Sequence, residues 1–266
     1  MTHNILIIGS GWLGLPLAKS LIQQGHQVTT TTTNLDKVST SDVPMQLLNT
    51  DDNNSLAAVN NDFDVMIITI PPNRKVPESY FPQLNILQQL AITKGISKVL
   101  FTSSTSVWGN YEGIVDEDTP RQPVTQSAQA MVKFETALHQ EEAFNATTIH
   151  LAGLIGNDRN PGRFLAGKTD VANASAPVNL VAKEDVIGMI CQIIRLDYWQ
   201  QSLIACAPTH PTRQEFYTTA AQTLGLTPPQ FSNQEQAAKT INGQQSADRL
   251  QYQYQYPDLL KWLTNQ

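Results

Sequence analysis

Short aliphatic runs along this chain alternate with longer stretches in which apolar residues recur every three or four positions. Residues 5–8 are all aliphatic and mostly β-branched, and Gly9 closes them, so they predict a buried strand. Within residues 13–24 the positions 13, 17, 18, 21 and 22 are apolar, a helical spacing that Gly25 ends. Residues 27–33 predict a second strand, with hydroxyls where aliphatics are usual; 45–48 is a weaker third, and 55–59 a short helix. A strong fourth strand over 65–70 is stopped by Pro71 and Pro72, a helix follows over 79–93, and 98–102 gives a fifth strand. Residues 125–142 then predict a helix and 147–151 a sixth strand. Strands separated by helices in this order mean βαβ units, hence an α/β fold: a doubly wound parallel sheet with helices on both faces.

Beyond residue 152 the pattern loosens. Residues 153–177 carry Gly, Pro and three basic side chains and suit an ordered loop or lobe better than a sheet. A helix over 183–195, a short strand over 203–206 and a helix over 213–224 follow, and the Gln-rich stretch 231–255 reads as unassigned surface. The expected organisation is a nucleotide-binding domain over 1–152 and a smaller C-terminal substrate lobe over 153–266, interleaved with the sheet as one unit. A net charge of −6 and a sequence pI near 5.3, without a basic run, exclude nucleic acid and anionic membrane as main partners. Cys191 and Cys206 lack the number for a disulfide framework and the spacing for a metal site. The opening residues have no basic stretch, and only four aliphatic residues precede Gly9, so neither a signal peptide nor a spanning helix is expected. The expected protein is cytoplasmic, a monomer or homodimer, acting on a small molecule.

Gly9-Ser10-Gly11-Trp12-Leu13-Gly14 is G-x-G-x-x-G, directly after the first strand and opening the first helix. There the first glycine permits the turn, the second admits a pyrophosphate to the backbone, and the third lets helix and strand pack closely. Amides and dipole at the helix start then favour the phosphates, which makes all six residues candidates for dinucleotide contact. Ile70, Pro71 and Pro72, closing the fourth strand, join them. A phosphate-binding P-loop is excluded, because Leu15 stands where a lysine is needed. An acid about 20 residues beyond the glycines ordinarily takes the ribose hydroxyls of NAD. Here that stretch is a threonine run ending in Thr32, Thr33 and Asn34, with Lys37 close behind. Hydroxyls and a lysine suit a 2′-phosphate better than a carboxylate would, which leans the choice between NADP and NAD towards NADP.

From residue 99 onward the sequence resembles the extended short-chain dehydrogenase/reductases, the NAD-dependent epimerase/dehydratase branch acting on nucleotide sugars. The residues that carry this are Leu100-Phe101-Thr102-Ser103-Ser104-Thr105-Ser106-Val107-Trp108-Gly109, the acidic turn Val115-Asp116-Glu117-Asp118-Thr119-Pro120, and Leu151-Ala152-Gly153-Leu154-Ile155-Gly156 with Arg159-Asn160-Pro161. Residues 178–185 and Tyr256-Pro257-Asp258-Leu259-Leu260 are similar to an atypical subgroup commonly labelled nucleoside-diphosphate-sugar epimerase-like. The resemblance implies a Rossmann fold, a nicotinamide cofactor held partly by Ser103, and Ser104 as the hydroxyl member of a Ser–Tyr–Lys set. Carried forward without gaps from Pro120, the tyrosine position holds Ser127, the lysine position Met131, and the following acid is Glu135. Lys133 does not replace the lysine, because two helical steps turn it about 200° from Met131. Serine has no acid pKa near neutrality and nothing here activates it, and a well-placed general acid contributes roughly 10²–10⁴-fold.

A substitute acid could come from Tyr111 after the Trp108-Gly109 turn, from Tyr80 at a helix start, or from His150 at the end of the sixth strand; each also reads as a packing or strand-end residue. Arg159 and Arg163 could clamp a substrate diphosphate in bidentate fashion, or be solvated loop charges. The acids 116–118 read as a solvated turn. Two functions remain open: an NAD(P)-dependent oxidoreductase or epimerase with a nonstandard proton donor, and an inactive NAD(P)-sensing regulatory protein.

Overall fold

The computed structural model describes residues 2–73, 75–156 and 158–265. In chain order the strands and helices are β1 (Asn4–Ile8), α1 (Gly14–Gln23), β2 (Gln27–Thr32), α2 (Leu35–Thr40), β3 (Met45–Leu47), α3 (Asn53–Ala57), β4 (Val65–Ile68), α4 (Tyr80–Thr93) and β5 (Lys98–Ser104). They continue with β6 (Gly113–Val115), α5 (Gln126–Gln140), β7 (Asn145–Leu151), β8 (Gly153–Ile155), α6 (Gly162–Leu165), β9 (Leu180–Ala182), α7 (Lys183–Leu196), β10 (Ser202–Ala205), α8 (Arg213–Thr223), β11 (Lys239–Ile241), α9 (Gln244–Arg249) and α10 (Leu259–Thr264). Two compact units result. The first holds the described residues up to Val107, Pro123–His150 and Ile190–Leu203; the second holds Trp108–Gln122, Leu151–Met189 and the described residues from Ile204 onward.

The principal sheet has seven strands in the order β10-β7-β5-β4-β1-β2-β3. β1 pairs in parallel with both β2 and β4, β2 with β3, and β4 with β5. Residues 5–8 and 65–68 are buried throughout, as their unbroken aliphatic sequence requires of strands covered on both faces. The order turns back at β1: the chain moves outward through β2 and β3, then returns to build β4, β5 and β7 on the other side. Ligands of such sheets gather at that switch point, beyond the carboxyl ends of β1 and β4. Within the first unit α4 packs on α5, and Phe134 of α5 meets Phe101 of β5 edge to face, with ring centroids 5.0 Å apart.

The second unit departs from expectation in three places. Residues 153–155, read as loop, form β8 in parallel with β9. The Gln-rich stretch read as surface supplies β11, which pairs in parallel with β6, and buries Ile241, Ser246, Ala247 and Leu250. Glu117, read as a solvated turn acid, is buried and accepts a hydrogen bond from Ser246 Oγ. The core of this unit gathers Ile155, Leu180, Phe216, Leu259 and Trp262 from four different elements. Asp185, buried in the first turn of α7, accepts from Tyr252 Oη at 2.9 Å and from the amides of Gln255 (2.6 Å) and Tyr256 (3.2 Å), which pins the segment before α10. Among the described residues no helix is long and apolar enough to cross a membrane.

Candidate cofactor site

Gly9 leaves β1 with φ 103°, a left-handed conformation that side-chain-bearing residues rarely adopt. Its amide donates to Thr31 Oγ1 at 3.0 Å, so part of the threonine run in β2 anchors the turn. Thr69, just past β4, directs its hydroxyl at the carbonyls of Ile8 (3.0 Å) and Gly9 (3.2 Å) and ties the two strand ends together. A Cβ on Gly14 would lie 1.9 Å from the Gly9 carbonyl oxygen, so only glycine lets α1 approach the turn this closely. A Cβ on Gly11, by contrast, would meet nothing within 4 Å. The space over the second glycine is open, and the amides of Ser10 and Gly11 have no hydrogen-bond acceptor among the described residues. Trp12 and the buried Leu13 complete the turn; Leu13 caps α1 without a side-chain hydrogen bond, and no acid occupies the first helical turn. These features together form an uncapped, positively polarised pocket suited to a pyrophosphate.

The turn opens into a cleft of about 210 Å³. Gly9, Ser10 and Gly11 line it together with Thr31, Thr32, Thr33, Lys37 and Ile70. Thr32 Oγ1 accepts from the Asn34 amide at 3.1 Å, whereas the Thr33 hydroxyl and the exposed Lys37 ammonium have no partner among the described residues. Leu48, Thr50 and Gln83 also line the cleft and were not singled out from the sequence, since they come from separate elements and no local pattern marks them. Pro71 follows Ile70 without lining this cleft. Pro72 lines a second cleft of about 260 Å³ with Asn73, Pro77, Thr125, Gln126 and Ser127.

Ser104 ends β5, and its Oγ accepts from the Ser106 amide at 3.1 Å, leaving its own proton without an acceptor among the described residues. Ser103, one residue earlier, is buried and donates to Glu135 Oε1 at 2.5 Å. Ser127 stands in the first turn of α5 with its Oγ 3.3 Å from Thr125 Oγ1, and Met131, one turn later, is buried. Tyr80 is fully buried, donates to the Ile70 carbonyl at 2.8 Å and has its hydroxyl pKa pushed well up by burial, so it braces the strand end and is no acid. His150 lies near the carboxyl end of β7, a strand inside the sheet, with its imidazole fully buried.

In the second unit Tyr111 is half-exposed and its hydroxyl makes no hydrogen bond among the described residues. Arg159 closes a bridge with Gly156, and Arg163 is exposed on α6. Lys239, in the stretch left unassigned from the sequence, donates to the Gly109 carbonyl at 2.5 Å, and burial lowers its pKa. No group of three or more His, Cys, Asp or Glu able to hold a metal is present among the described residues.

A family model, the NAD dependent epimerase/dehydratase family, matches residues 5–182 of this chain. Protein YeeZ of Escherichia coli strain K12 is 40% identical over 269 residues, 97% of each chain. Among solved structures, UDP-glucose-4-epimerase from Stenotrophomonas maltophila, with bound NAD and formylated UDP-arabinopyranose, superimposes with a TM-score of 0.82 at 16% identity, covering 99% of this chain and 98% of its own. The human epimerase family protein SDR39U1 with NADPH gives a TM-score of 0.78 at 17% identity, covering 98% of both chains.

Proposed function

The chain belongs to the NAD dependent epimerase/dehydratase family, and from that premise we propose that it binds a nicotinamide dinucleotide, NADP in preference to NAD, and works as a cytoplasmic oxidoreductase or epimerase on a nucleotide-sugar-like substrate. The observation that carries this is the pair of unengaged amides at Ser10 and Gly11, opening into a cleft that ends at Thr33 and Lys37. The open space over Gly11 fits a pyrophosphate held against bare backbone. Thr33 and Lys37 would hold a 2′-phosphate, Lys37 as a point charge without a competing acid partner among the described residues. A bound nicotinamide supplies or accepts the hydride. Ser104 offers a hydroxyl proton to a substrate oxygen, with its own oxygen oriented by the Ser106 amide. Tyr111 is the candidate acid in the second unit, and Arg159 and Arg163 the candidate cations for a substrate diphosphate.

A second reading, a dinucleotide-sensing protein without turnover, is favoured by Ser127 and the buried Met131 standing where the family places its tyrosine and lysine. Incubation with stereospecifically deuterated NADPH and a panel of nucleotide sugars separates the two. Deuterium in a sugar, lost in Ser104→Ala, supports the enzyme; binding with no exchange across the panel supports the sensor.

A further inference from the structure

We propose that Glu135 is a positioning residue: a buried Ser103–Glu135–His150 chain fixes the carboxyl end of β5 and, through it, the Ser104 hydroxyl. This role rests on the dinucleotide-binding reading given above. All four elements concerned belong to the first unit at the residues involved. Ser103 Oγ donates to Glu135 Oε1 at 2.5 Å, Glu135 Oε2 lies 3.1 Å from His150 Nε2, and His150 Nδ1 lies 2.9 Å from the Leu203 carbonyl. Ser103 is 3%, Glu135 7% and His150 0% exposed, so the chain is shielded from bulk water.

A carbonyl only accepts, so Nδ1 of His150 carries a proton towards Leu203. Nε2 lies 3.1 Å from Glu135 Oε2, within reach of a proton carried by either group. One proton held between Glu135 and His150 would leave the pair neutral as a unit. That is the form a buried pair can take without stranding a charge. The other imidazole between α5 and β7, His139, is engaged at 3.3 Å with Thr148 Oγ1.

The consequence for Ser104 follows from the pleat. Successive strand side chains point to opposite faces, so Ser103 reaches α5 while Ser104 faces the other side. Ser104 also sets the first turn beyond the strand through the Ser106 amide. Holding Ser103 to Glu135, and Glu135 to the β7–β10 side of the sheet through His150, fixes the rotation of the strand end on which Ser104 depends.

Glu135→Gln, Glu135→Leu and Ser103→Ala test the role against NADPH binding by calorimetry, alongside thermal melts. The glutamine oxygen accepts from Ser103 and its NH₂ donates to Nε2 with no extra proton, so affinity should stay within about twofold. The leucine fills the volume but strands the buried polar atoms of Ser103 and His150, so its melt should fall; assayed well below that midpoint, it should bind about tenfold more weakly. Ser103→Ala, the smallest change, should stay folded and weaken binding by roughly threefold or more. A packing role alone would lower the melts and leave the affinity measured below the midpoint unchanged. In long-range ¹H–¹⁵N spectra at neutral pH, His150 Nε2 should show a carried or shared proton in the natural chain and a bare nitrogen in Glu135→Gln. Leucine and alanine variants that bind as tightly as the natural chain, or a bare Nε2 in that chain, would overturn the proposal. Failure of the natural chain to bind NADPH or NADH would instead overturn the dinucleotide reading, and the role with it.

Discussion

Gly14 has the least room of the glycines in the turn. Its alanine variant would drive a methyl group to 1.9 Å from the Gly9 carbonyl and force α1 away from β1. We expect Gly14→Ala to lose dinucleotide binding and about 1–3 kcal/mol of stability, measured by calorimetry and chemical denaturation. Gly11→Ala is the informative contrast. Its methyl meets no protein atom within 4 Å, so the fold should hold while binding weakens, because the space it enters is the one assigned to the pyrophosphate. Lys37 tests cofactor choice at the same scale. If it holds a 2′-phosphate, Lys37→Ala should weaken NADPH by about tenfold, roughly 1.4 kcal/mol, and leave NADH unchanged. Equal losses for both cofactors would remove the case for NADP.

At the scale of elements, α6 and α8 meet so closely that a Cβ on Gly162 would lie 2.1 Å from the Ala220 carbonyl oxygen. Gly162→Ala should therefore lower the thermal midpoint and cost about 1–3 kcal/mol, without altering the composition of the cofactor cleft. That contact was invisible in the sequence, where Gly162 sat in a loop-like stretch. The strands of the first unit were legible because each carries its own signal: aliphatic runs at residues 5–8 and 65–68, closed by Gly9 or by Pro71 and Pro72. The glycine turn was legible for the same reason, since its function is written in contiguous residues. β6, β8, β9 and β11 are three residues long, too short for periodicity, and exist because distant partners pair with them. Glu117 became a buried acceptor only because Ser246, 129 residues away, donates to it. Likewise the sequence marked Glu135 and His150 separately but carried nothing to join them.

For the whole molecule, three imidazoles bias stability against pH. Burial lowers the pKa values of His3, His26 and His210 below 6.5; Lys98 adds to the effect at His3, and His3 adds to it at His26. A lowered histidine pKa means that the folded chain takes up fewer protons than the unfolded one as pH falls through 6.5. Their contribution is complete above that value and is lost below it. His26 Nδ1 also accepts from the His3 amide at 3.1 Å, a bond that protonation of Nδ1 abolishes. The thermal midpoint should therefore fall between about pH 7.5 and 5.5, and His26→Gln should flatten part of that slope. An unchanged slope would show that His26 carries none of it. The account as a whole depends on whether the turn after β1 receives a dinucleotide. Calorimetric titration of the purified chain with NADPH and with NADH decides this: saturable one-to-one binding, tighter for NADPH and lost in Gly14→Ala, is the expected result, and no binding of either up to about 1 mM would contradict it.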